Sequence, residues 1–337
     1  MIKKLNTTLC EQTGIDFPII MAPMFLVSNE AMIKAAIHNG IMGVFPSLNY
    51  RKEGELKALL SKLKNYKSET NGLGNYGVNL IVQQTNILYK KHLAICLEEE
   101  VPFFITSLGN PKEVIEGAHR YGGKVYCDVT NMEHARKCAS LGADGFIAVC
   151  SGAGGHAGPH PATVLIPVLR KEFPNIPVVM AGGIADGQGI LAALSLGAAG
   201  VSIGTHFITC NEATVSNEYK QAIIDAGIDD IVMTERLSGT PCSVINTEYV
   251  KRIGLKQNFI ERWMNKNPTT KKWFKMITQL RGMKKLEKAI QPGNYNSIWS
   301  AGQSSALIDK TASCEEIINE LKKETNDAYQ KLHTLFE

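Results

Sequence analysis

Between Gly145 and Phe207 three glycine-rich turns each follow a short apolar run: GFIAVC then SGAGGHAGPH, IPVVM then AGGIADG, and AGVSI then GTHF. The runs have the length and β-branched content of strands buried on both faces. Glycine at the end of such a strand lets the backbone approach a ligand, and the N–H groups opening the next helix favour an anion. The consecutive turns Ala181-Gly182-Gly183 and Gly204-Thr205 therefore predict a phosphate cradle. The first turn presents one imidazole, His156, between glycines. Its flanking residues have no side chains to pack over it, and imidazole suits proton transfer near neutrality. A phosphate cup beside a presented histidine reads as a cofactor enzyme.

These residues need a scaffold that gathers strand ends. Eight strand-like runs (residues 18–23, 41–47, 76–82, 101–107, 124–129, 145–150, 177–183 and 200–205) alternate with helical patterns such as NEAMIKAAIHNG and NMEHARKCASLGA. Several of these patterns open on an Asn or Asp suited to an N-cap and close on glycine. Strict alternation through eight units predicts a (β/α)₈ TIM barrel, in which chemistry sits at the carboxyl ends of the strands. From Asp229 to Tyr295 the alternation breaks. Trp273, Met276, Ile277, Leu280, Met283 and Ile290 recur there at helical spacing,. The expected organisation is a barrel from residues 1–228 and 296–337, with a helical lid subdomain over 229–295. A final charged helix begins at Ser313.

The 337 residues are 44% hydrophobic and carry a net charge of +4, enough to bury a large core and too little charge to imply nucleic acid,. Eight cysteines form no CxxC pair and show no zinc spacing, so they read as reduced core residues,. The start of the chain lacks the apolar stretch of a signal peptide, and the apolar run Phe17 to Val27 is cut by Pro18 and Pro23,. A soluble cytoplasmic protein is expected. Gly72 to Gly77 match GxGxxG, but the match precedes a strand where a dinucleotide fingerprint must follow one,. His156 and His160 are separated by Pro159, which denies them a shared helical face for a metal,.

The ordered set Ala22-Pro23-Met24, Gly77-Val78-Asn79, Gly154 to Gly158, Ala181 to Ile184, Gly204 to Phe207 and Ala301-Gly302-Gln303 resembles the nitronate monooxygenase family, formerly 2-nitropropane dioxygenases, which also holds flavin-dependent enoyl-ACP reductases. The resemblance implies an FMN-binding barrel with a helical lid. It implies that Ala22, Pro23 and Met24 lie against the flavin and that Asn79 bonds its polar edge. It further places Gly155, Ala181, Gly182, Gly183, Gly204 and Thr205 around the cofactor and phosphate, with Gln303 at their border. His156 would be the catalytic residue, either removing the α-proton of a nitroalkane or donating a hydrogen bond to a nitronate. Tyr295 would reach the substrate from the rim. The implied reaction takes an alkyl nitronate and O₂ to a carbonyl compound and nitrite, with homo-oligomers possible.

Two departures bear on the substrate. The family's EAGGH pattern has an acidic residue where this chain has Gly152, and Phe45 to Arg51 replaces a glycine-rich turn. The alternatives are an enoyl-ACP reductase, an NAD(P)H:quinone reductase and a non-enzymatic flavin sensor. The basic run Lys266 to Lys288 would suit an acidic carrier protein, or be simply the solvated face of a helix,.

Overall fold

The computed structural model describes residues 4–70, 73–83, 85–236, 241–256 and 298–336. The expected barrel is the observed one. Strands β1 (Ile19–Met21), β2 (Met42–Pro46), β3 (Asn75–Ile81), β4 (Phe103–Ser107), β5 (Lys124–Val129), β6 (Gly145–Val149), β8 (Val178–Ala181) and β9 (Gly200–Ile203) close in that order. All neighbours are parallel, and β9 returns to pair with β1 through Ile20 and Ser202. The strands read as continuous apolar runs because helices cover them outside and one another's side chains fill them inside.

The interior is sealed from below by a helix that the β–α alternation did not announce. Helix α1 (Thr8–Thr13) is capped by the Thr7 side chain and stopped by Gly14 at φ 69°,. It pushes Leu9 and Cys10 among Ile20, Met42, Val44, Phe103, Ile105, Tyr126, Ile147 and Val179 inside the barrel. The Tyr126 hydroxyl donates to Gln12 Oε1 at 2.9 Å, which pins α1 beneath β5. The mouth at the carboxyl ends is thereby the open end.

The helix from Cys314 to His333 opens with a capping box between Ser313 and Glu316,. It packs on α8 (Gly187–Ser195) so closely that a Cβ on Gly187 would lie 2.1 Å from Thr325 N. All eight cysteines are free and buried, as core thiols are expected to be,.

The stretch after residue 229 differs from expectation where it is described. In place of helix, β10 (Ile231–Thr234) and β11 (Cys242–Ile245) form an antiparallel sheet with β7 (Gly155–His156), followed by the short helix α11 (Glu248–Ile253). The helical pattern from Trp273 to Ile290, the basic run Lys266 to Lys288 and Tyr295 lie outside the described residues.

Candidate active site

Side chains alternate across a strand, so the interior residues of β3, β4 and β5 can be followed upward in steps of two. Phe103 and Ile105 on β4 and Tyr126 on β5 point inward, which carries Ser107 and Asp128 into the barrel's top layer. Asn79 joins them from β3. Its Nδ2 donates to Ile105 O at 3.1 Å and to Ser107 Oγ at 2.8 Å, and Ser107 Oγ donates to Asp128 Oδ2 at 2.5 Å. Burial pushes the Asp128 carboxyl up to about 6, opposed by the Ser107 hydrogen bond,. Across the mouth the corresponding positions are small. Ala181 ends β8, and a Cβ on Gly204 would stand 3.6 Å from Ala22 Cβ and 3.7 Å from Met24 Sδ. The top layer thus has a polar arc on β3, β4 and β5 and a low, small-residue side on β1, β8 and β9.

The loop carrying Pro23 and Met24 is held from β2. Asn49 Oδ1 accepts Leu26 N at 2.8 Å, and Asn49 Nδ2 donates to Met24 O at 3.2 Å and Ser28 O at 2.9 Å. This clamp holds Leu26 at φ 60°, a conformation unusual for a branched residue,. Of the unusual segment Phe45 to Arg51, Phe45 is fully buried in the outer core, whereas the Arg51 guanidinium stands 5.8 Å over the Phe25 ring at the mouth.

The glycine turns converge. Gly182 (φ 114°) and Gly183 (φ 78°) need left-handed backbone, and a Cβ on Gly182 would sit 2.8 Å from Ala153 N,. Gly183 has open space where a Cβ would be. Thr205 Oγ1 accepts Gly302 N at 3.0 Å, and Gln303 N donates to Gly152 O at 3.3 Å. Gly152, Gly182, Gly183, Gly204, Thr205 and Gln303 therefore share one corner. The expectation that α8 offers its N–H groups there is corrected. Asp186 accepts Gly189 N at 2.7 Å and Glu324 accepts Gly187 N at 2.9 Å, so two of its first N–H groups are already taken by carboxylates,. The short helix α9 (Thr205–Ile208), starting directly after Gly204, has no side-chain cap.

His156 does not lead into a helix as its strand–turn context predicts. Residues 155–156 instead form β7, with Cys242 opposite His156 and Ser243 opposite Gly155. The segment inserted after the barrel thus fixes the backbone of the candidate catalytic residue. The imidazole is reachable by solvent, yet surrounding protein disfavours its charged form and lowers its pKa from 6.5,. Gly155, at φ 67°, has open space at its Cβ position. His160 is exposed, and its carbonyl closes the loop by accepting Ser151 N at 2.8 Å.

Ser107, Asp128 and Asn49 were not singled out in the sequence. For Asp128 a signal existed: it stands two residues after Tyr126 near the end of a strand, the parity that faces the mouth. Lys124, which opens the same strand, lies at its far end, 3.2 Å from Asp144. Among the described residues one set of metal-type ligands converges, Cys210, Glu212 and Cys314 within 4.8 Å. Glu212 there accepts Cys314 N at 2.9 Å and acts as an N-terminal cap of the last helix,.

A closed β/α barrel that gathers glycine-rich turns and an exposed histidine at its strand ends has the architecture of the barrel enzymes, whose sites sit at that end. The family model for nitronate monooxygenase matches residues 47–324, and the chain belongs to that oxidoreductase family. It is 28% identical, over 94% of its length and 95% of the relative's, to a Mycobacterium tuberculosis protein named (3aS,4S,5R,7aS)-5-hydroxy-7a-methyl-1-oxo-octahydro-1H-indene-4-carboxyl-CoA dehydrogenase. It is 32% identical to a probable nitronate monooxygenase of Staphylococcus saprophyticus over 70% of this chain and 66% of that one. Among solved structures, FabK from Thermotoga maritima superposes with a TM-score of 0.83 at 29% identity, covering 98% of this chain and all of that one. Among the described residues, no helix is long and apolar enough to cross a membrane.

Proposed function

We propose that this protein is an FMN-dependent oxidoreductase in which His156 either takes the proton from a carbon next to an electron-withdrawing group or donates a hydrogen bond to the anion left when that proton is already gone. The carrying observation is the top layer of the barrel. The residues Ala22, Gly204 and Ala181 give that side no large side chains of their own, which suits a flat ring, and the arc opposite offers polar partners at its edge. No described residue donates to Asn79 Oδ1, which fits an edge N–H of the ring. The corner at Gly182, Gly183, Gly204 and Thr205 suits the phosphate, with open space at Gly183 where a Cβ would be,. Pro23, Met24, Gly155 and Gln303 border the same space. When bound, FMN supplies the electron transfer; the chain supplies position, polarity and proton handling.

The lowered pKa leaves the imidazole neutral at physiological pH, ready to accept a proton or to donate one hydrogen bond to a negatively charged oxygen,. With an alkyl nitronate as substrate and O₂ as co-substrate, the family reaction yields a carbonyl compound and nitrite. A second reading is favoured by the end-to-end match to a carboxyl-CoA dehydrogenase, which exceeds the length shared with the staphylococcal nitronate monooxygenase. In that reading the carbon acid is an acyl thioester. A thioester carbonyl, like a nitro group, acidifies the adjacent carbon and needs the same base.

Anaerobic absorbance of the bound flavin separates the readings. Bleaching by a short alkyl nitronate, with none by NADH or NADPH, supports nitronate oxidation. Bleaching by an acyl-CoA, with silence toward nitronate, moves the assignment to the thioester, and bleaching by a nicotinamide alone moves it to the enoyl-thioester or quinone reductases. A purified protein that neither carries nor takes up FMN refutes the proposal.

A further inference from the structure

The polar arc on β3, β4 and β5 is directional. Both protons of the Asn79 amide are used inside the barrel wall, one on Ile105 O at 3.1 Å and one on Ser107 Oγ at 2.8 Å. Ser107 can accept from Asn79 only while its own hydroxyl proton goes elsewhere, and that proton goes to Asp128 Oδ2 at 2.5 Å,. Turning the amide over would set Asn79 Oδ1 against the Ile105 carbonyl, two acceptors face to face. The arrangement therefore leaves Asn79 with its Oδ1 as the group to offer at the mouth.

We propose that Asp128 is a positioning residue for the cofactor: through Ser107 it orients the Asn79 amide so that an acceptor, and not a donor, meets the edge of the bound ring. The inference rests on the reading of FMN as cofactor. An oxidised isoalloxazine has one N–H on its edge and acceptors elsewhere, so a fixed acceptor selects one ring orientation in the slot. A carboxyl group in this place is costly, and an apolar residue would fill the volume more cheaply; the relay supplies a use for it.

The relay has a condition attached. Ionised Asp128 accepts from Ser107 as a charged partner, the stronger kind, and its burial brings the proton back at about pH 6, leaving a neutral acceptor,. The surroundings leave this titration largely its own. The thiols of Cys127 on β5 and Cys138 on α6 (Met132–Ser140) feel the Asp128 charge. From β4 it is faced by the hydroxyl of Ser107, and from β6 by the apolar stretch from Ile147 to Val149. The charged trio His119, Lys124 and Asp144 sits at the opposite end of β5.

The test is FMN affinity of the full-length protein, followed by quenching of flavin fluorescence from pH 5 to 8, for wild type, Ser107→Ala, Asp128→Asn and Asp128→Ala. Ser107→Ala and Asp128→Ala should weaken FMN roughly tenfold at pH 7.5, the scale of one oriented hydrogen bond. Wild-type affinity should weaken below about pH 6 as the relay's acceptor changes from charged to neutral,. Asp128→Asn keeps a neutral acceptor for Ser107 without a titrating proton, so it should bind better than Asp128→Ala, near the level wild type reaches below about pH 6, and show no such decline,. A merely structural role would not give this rescue and flat profile. Ser107→Ala binding FMN as wild type does, or Asp128→Asn keeping the wild-type pH profile, overturns the positioning role while leaving the cofactor reading intact. Failure of the wild-type protein to bind FMN overturns both. Thermal melts of each variant identify any loss that is simply unfolding.

Discussion

The same carboxyl makes a second, independent demand on the protein: without cofactor, Asp128→Asn should be more stable than wild type at neutral pH. Burial moves the Asp128 pKa from an ordinary 3.8 to about 6. At about 1.4 kcal/mol for each pH unit, that difference of about two units lowers wild-type stability by about 3 kcal/mol relative to a side chain that never ionises. The sign follows from proton counts. Between pH 3.8 and about 6 the folded protein holds the proton and the unfolded chain does not, so wild-type stability falls as pH rises through that window,. Above it the loss is complete; below it both states are protonated and the two proteins converge. Asparagine has nearly the same shape and can still accept from Ser107, so packing is preserved. Urea denaturation of the FMN-free proteins at several pH values between 5 and 8 is the assay. The expected record is an advantage of about 3 kcal/mol for the variant at pH 7.5 that shrinks toward pH 5. Equal stability at pH 7.5, or a difference that does not change with pH, would refute the claim that this carboxyl is buried against its own ionisation.

His156→Gln should retain FMN and lose roughly a hundredfold in turnover, the usual scale for a positioned acid–base group. The wild-type rate should rise with pH through an apparent pKa below 6.5, since the surrounding protein favours the neutral imidazole, and stopped-flow profiles of the variant should lack that limb. Gly187→Ala should destabilise the fold by about 3 kcal/mol in chemical denaturation, because the new methyl would meet backbone of the last helix at Thr325 N (2.1 Å) and Glu324 C (2.2 Å),. Tyr126→Phe should cost about 1 kcal/mol by removing the bond to Gln12 that holds α1 under the barrel, with no change in flavin affinity,.

The eight barrel strands were legible because each is a short apolar run between turn residues, and β–α alternation leaves few architectures open to such a chain. The glycine turns were legible for a related reason: left-handed backbone at Gly182 and Gly183 is a local property that the residue type announces,. His156 was marked by the glycines around it. What lies around these residues depends on contacts far apart in sequence. The two-residue strand at His156 exists because Cys242 and Ser243 come alongside, and no periodicity over so short a segment could announce it. β10 and β11 were read as part of a helical insertion for the same reason, each too brief to carry a period of its own. The capping of α8 by Glu324 joins residues 137 apart, so it was invisible to any local reading of the turn. Asn79 had a role only by resemblance until β4 supplied Ile105 O and Ser107. Asp128 drew no reading of its own until barrel closure turned it inward. Sequence determined which backbone conformations were available and which faces had to be buried; tertiary structure alone decided which polar groups would lose water together, and that shared loss sets their hydrogen bonds and the Asp128 pKa.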